Sequence, residues 1–118
     1  MIYLKLGKYF NNSIEILTNS LKYLVIGFCF SYSLDNLPNN LTQLIMINCK
    51  YFEHSIDNLP NNLEFFSRDF NKSIDQLPEC LDWLELNYKF NKLIDNLPIN
   101  LNTLILSDNF NHPINNLP

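Results

Sequence analysis

Apolar residues recur along this chain in a fixed order, separated by polar stretches, at intervals of about twenty residues. Each interval can be numbered from the apolar residue that follows a Leu-Pro or equivalent turn. Position 1 is then Met1, Leu21, Leu41, Leu63, Leu81 and Leu101. Position 4 is Leu4, Leu24, Leu44, Phe66, Leu84 and Leu104. Position 6 is Leu6, Ile26, Met46, Arg68, Leu86 and Leu106. Apolar residues at positions 4 and 6, with a free choice between them, alternate with period two and predict one short strand per unit. A Phe follows, usually with Asn after it: Phe10-Asn11, Phe30-Ser31, Phe52-Glu53, Phe70-Asn71, Phe90-Asn91 and Phe110-Asn111. Four residues beyond the Phe comes a branched apolar residue: Ile14, Leu34, Ile56, Ile74, Ile94 and Ile114.

The pattern excludes helices of ordinary length. Leu37-Pro38, Leu59-Pro60, Leu77-Pro78 and Leu97-Pro98 punctuate successive units, and Leu117-Pro118 ends the chain. Proline fixes φ and lacks a donor, so it favours an extended turn and ends any helix before it. The return side of each unit is therefore expected to be irregular or 3₁₀-like. Self-similarity at this period marks a solenoid, whose turns bury their apolar faces only against one another. The expected architecture is a right-handed coil with a single curved parallel sheet, strands about 4.8 Å apart. One domain over 1–118 is expected, built of six tandem units: 1–16, 17–36, 37–58, 59–76, 77–96 and 97–116. Between position-1 residues the steps are 20, 20, 22, 18 and 20. The third unit thus carries two extra residues before Phe52 and the fourth lacks two before Phe70. Arg68 is expected to hold position 6 only nominally, with a local kink there.

L-x-x-L-x-L followed by Asn or Cys resembles the core of the leucine-rich repeat. The fuller run Leu77 to Asn96 resembles the FNIP-repeat family, a leucine-rich-repeat relative of giant viruses and social amoebae, and the resemblance extends over all six units. It implies a leucine-rich-repeat-like solenoid that binds proteins. Many members carry an F-box, which implies recruitment of substrates to a ubiquitin ligase; with the first repeat beginning at Met1, none is expected here. A fragment or decayed repeat protein is the competing reading.

Composition narrows the function further. At 47% hydrophobic the chain can fill a core. Its net charge of −4 argues against nucleic acid. The charge is uneven: residues 1–50 hold four Lys against two acids, and 51–118 hold four bases against ten acids. No signal peptide and no span of eighteen apolar residues is evident, so no membrane is expected and an intracellular, cytoplasmic setting is. Abundant Asn is expected to be tolerated in turns.

Candidate chemistry is sparse. Cys29 and Cys49 share position 9, where a side chain can bond to backbone, and reduced thiols are expected. Cys80 falls in a turn. Position 15 is acidic in five units (Glu15, Asp35, Asp57, Asp75, Asp95); the expectation is that each carboxylate accepts from a nearby backbone N–H rather than binding calcium. His54 and His112 stand three units apart, too far for a shared metal. No catalytic residue, cofactor or metal is assigned, and no enzyme activity is expected.

Positions 3 and 5 flank the inward Leu at position 4 and are expected to point outward. They place Tyr3, Tyr23, Phe65 and Trp83 in one column, beside Val25, Ile45 and Glu85 in the next. Such an apolar ribbon, with no packing duty inside the coil, is the expected site for an unknown protein partner. End-to-end self-association of the coil is a further expectation.

Overall fold

The computed structural model describes residues 1–69, 71–87 and 89–118; the Phe70 of the Phe-Asn column lies outside the described residues. Six strands form where the period-two alternation falls: β1 Tyr3–Lys5, β2 Tyr23–Ile26, β3 Gln43–Met46, β4 Phe65–Arg68, β5 Trp83–Leu86 and β6 Thr103–Leu106. They make one parallel sheet in sequence order. Each crossover is a single turn of the coil, and among the described residues none contains a helix.

Register follows the repeat. Leu4 pairs with Leu24, Leu24 with Leu44, Leu44 with Phe66, Phe66 with Leu84 and Leu84 with Leu104. The two-residue gain in the third unit and the loss in the fourth leave this alignment intact, because both changes fall after the strands. Arg68 accordingly holds position 6 in full, paired between Met46 and Leu86 and 0% exposed. The expectation that it stood there only nominally is corrected: the position-4 pairing of Phe66 fixes the strand, and the strand carries Arg68 inward two residues later.

The core is a set of stacked columns. Leu21, Leu41, Leu63 and Leu81 stack at position 1; Leu24, Leu44, Phe66 and Leu84 at position 4; and Leu34, Ile56, Ile74 and Ile94 on the return side. Phe30 stacks on Phe52 and Phe90 on Phe110, with centroids 6.4 and 6.3 Å apart. Each fully buried Leu, Ile or Phe contributes roughly 1.5–3 kcal/mol.

Turns replace helix on the return side. Leu41, Leu63, Leu81 and Leu101 each donate a backbone N–H to the carbonyl of the proline three residues earlier. Phe10, Phe30, Phe90 and Phe110 close a second turn in the same way, on the carbonyls of Gly7, Gly27, Asn87 and Ser107. Among the described residues these are single 3₁₀-type bonds that are not extended into a helix. Pro38, Pro60, Pro78 and Pro98 pack inward, where a missing N–H leaves nothing unsatisfied.

Asparagine does more than tolerate the turns. Asn40, Asn62 and Asn100 donate Nδ2 to the carbonyls of Asn19, Asn39 and Glu79 one turn earlier. Asn11 Oδ1 accepts from Ser31 N, Asn71 Oδ1 from Asn91 N and Asn91 Oδ1 from Asn111 N. The side-chain amide bridges peptide groups that the wide return side holds too far apart for a backbone ladder.

Candidate functional site

The outward columns lie as the alternation requires, but crowding changes their exposure. Tyr3 stands open at 54%, whereas Tyr23, Gln43, Ile45, Phe65, Trp83 and Glu85 are half-buried. Val25 is buried at 4%. Its expected place in an exposed ribbon is corrected. Strands one ladder spacing apart press same-face side chains together, and Val25 is short enough to be covered by them. Ser67 at the same position is buried for the same reason.

The aromatic column is two pairs rather than one ribbon. Tyr3 and Tyr23 lie 4.9 Å apart between centroids, and Phe65 and Trp83 stack at 5.8 Å with their planes 29° apart. Gln43 separates the pairs. These side chains take no part in the core inside the coil and pack on one another along its outer face. Trp83 Nε1 is shielded from solvent and has no hydrogen-bond partner among the described residues. Glu85 stands opposite Ser67 and Ile105 in the adjoining strands.

The other candidates have structural occupations. Cys49 is buried, and its thiol points at the carbonyl oxygen of Gly27 at 3.3 Å, with those of Ile26 and Ile47 at 3.7 and 3.8 Å. Burial foremost, and the nearby Asp69 charge after it, push this thiol up to about 12, against a smaller opposing effect of Arg68. All three cysteines are free, and Cys80 is exposed. Arg68 places its guanidinium 5.8 Å from the centre of the Phe66 ring, and burial lowers its pKa well below the ordinary arginine value.

The position-15 acids accept mainly from side chains of the next turn, not from the expected backbone N–H. Asn58, Asn96 and Asn116 donate Nδ2 to Asp35, Asp75 and Asp95. Backbone N–H groups at this position instead bond to the serine two residues earlier, as Asp35 N does to Ser33 Oγ. Among the described residues no three His, Cys, Asp or Glu side chains gather as metal ligands. His54 and His112 each place Nε2 on a carbonyl of the preceding turn, Ser31 O at 2.9 Å and Asn91 O at 3.1 Å.

One concave feature was missed by reading outward columns alone. A pocket of about 360 Å³ opens where β1, β2 and β3 end, lined by Lys5, Leu6, Gly7, Lys8, Val25, Gly27, Phe28, Ile47 and Asn48. The available signal was that the chain's two glycines fall at the same unit position in adjacent units.

The fold and its columns define a leucine-rich-repeat-like solenoid. Comparison with solved structures agrees: the chain is similar to a giant-virus protein whose structure is described as "The crystal structure of CroV588 a novel circular LRR protein structure". The two share 37% identity with a TM-score of 0.87 over 99% of this chain. The chain spans 19% of that protein's length. No protein-family model matches the chain, and no curated protein is similar to it. No helix in the described residues is long and apolar enough to cross a membrane.

Proposed function

We propose that this chain is a non-enzymatic protein-interaction module that binds a protein partner through the concave strand face. The observation that carries the reading is the pair of aromatic stacks, Tyr3–Tyr23 and Phe65–Trp83, held on the outer side of a rigid sheet. Large rings fixed by their neighbours lose little entropy on binding, and Tyr and Trp are favoured anchors. The repeat run from Leu77 to Asn96 and the likeness to a giant-virus leucine-rich-repeat protein support a place among the FNIP-repeat proteins of viral origin. Three free thiols, one of them exposed, support a reducing intracellular setting.

The test is affinity capture from the native host cell with wild-type, Tyr23→Ala and Trp83→Ala baits, each checked for an unchanged circular dichroism spectrum. Loss of the same partner from both variants is expected. Retention of every partner by both would remove the strand face from the reading.

A further inference from the structure

A repeat protein shows its special places where it departs from its own repeat. Three departures meet at the ends of β1, β2 and β3. The first is the pair Gly7 and Gly27, where the third unit has Ile47. A Cβ on Gly27 would stand 3.1 Å from Gly7 O and 3.2 Å from Lys8 Cα, so a side chain there would require the neighbouring turn to give by a few tenths of an ångström. The second is the two-residue gain of the third unit. It pushes Ile47 and Asn48 out as a wall, with Asn48 in the left-handed region at φ 48°. Asn tolerates that conformation at modest cost. Asn48 N donates to Asp69 Oδ2 at 2.8 Å, so the shortened fourth unit braces the lengthened third. The third departure is charge. Lys5 and Lys8 line the pocket, and no carboxylate does.

The rim is aromatic and basic. Lys8 Nζ lies 5.2 Å from the Tyr9 ring centre and 5.6 Å from that of Phe28. Phe28 meets Tyr51 edge to face at 5.7 Å, and Lys50 Nζ lies 5.6 Å from the Tyr51 ring. Tyr9, Ile47 and Tyr51 are exposed. The pocket interior is apolar, formed by Leu6, Val25 and Phe28 with the glycine backbone.

We propose that this pocket binds an acidic peptide segment of a partner protein, seating one apolar side chain against Phe28 and the Gly7 and Gly27 backbone, with flanking carboxylates on Lys5, Lys8 and Lys50. The inference rests on the interaction-module reading and gives it a second, chemically specified contact. The volume sits at the low end for small-molecule sites and suffices for one large side chain. The exposed rings and lysines beyond it call for a ligand longer than the pocket. A long polyanion would meet the net charge of −4 along its whole length, whereas a short segment reaches Lys5, Lys8 and Lys50, with the Asp69 carboxylate beside them engaged by Asn48 N.

The experiment measures fluorescence anisotropy of a labelled, end-blocked hexapeptide with one central tryptophan among glutamates. Saturable binding that weakens with salt is expected. Gly7→Val is the principal variant: a Cβ there meets nothing within 4 Å, so it adds bulk to the pocket without disturbing the turn. Binding at least about tenfold weaker is expected in Gly7→Val, and about fivefold weaker in Lys8→Glu. Loss of at least about tenfold is also expected when the peptide's tryptophan becomes alanine or its glutamates become lysine. Ile99→Ala, an exposed site remote from the pocket lining, should bind the probe like wild type. Absence of saturable binding, or unchanged binding by a folded Gly7→Val protein, would overturn the proposal. Equal affinity for indole-3-acetate alone would also overturn it, by assigning the pocket to a small carboxylate. Native partner capture lost in Trp83→Ala but kept in Gly7→Val would leave the strand-face reading standing and remove the pocket from it.

Discussion

Asn58 donates its side-chain amide to Asp35 Oδ1 at 3.0 Å, joining the return side of one turn to that of the next. The Asp35 carboxyl is held below its ordinary value first by the Ser33 hydroxyl, then by Asn58, with His54 adding a smaller pull. A lowered carboxylate stabilises the fold above the ordinary Asp range, near pH 3.9, and that contribution fades as pH falls through the lowered value. In Asn58→Ala the Asp35 titration, followed by carboxyl NMR, should move upward while staying below the unperturbed value. The cost in stability at pH 7 should be within about 1 kcal/mol, since the bond is exposed.

The three thiols should separate by reactivity. With its pKa pushed up to about 12, buried Cys49 carries almost no thiolate at pH 8. Mass-resolved alkylation with iodoacetamide should label Cys80 first and Cys49 only on unfolding. Since a raised acid pKa favours the neutral native state, its stabilising effect is complete below the unfolded value of about 8.5 and is lost as pH rises toward 12. Early labelling of Cys49 in native protein would contradict its packing against the Gly27 carbonyl.

Trp83 offers a finer comparison. Trp83→Phe removes a shielded, unpartnered N–H while keeping a ring against Phe65, and should change stability by less than about 1 kcal/mol. Phe90→Ala, in the fully buried column, should cost about 3–5 kcal/mol. Denaturant unfolding of the two variants measures both values.

The strands, their parallel order and most core columns were legible because one spacing repeats six times and chance does not reproduce it. Exposure along positions 3 and 5 was not legible. Alternation tells which way Val25 points, but whether Val25 is covered depends on the lengths of its cross-strand neighbours. Arg68 misled for another reason: the two-residue loss before Phe70 put its register in question, whereas the pairing of Phe66 holds it at position 6. The asparagines looked like composition, because a ladder joins residues twenty apart and no local window contains both partners. The pocket was hidden in the irregularities themselves, since Gly7, Gly27 and the gained residues near Asn48 acquire meaning only once three turns are stacked.

The third and fourth units change length without shifting the strands, and this gives the gene a tolerant place to vary. In-frame slippage after a strand alters a rim while the stacked leucines carry on undisturbed. A rim of this kind can therefore change what it meets without disturbing the core that carries it.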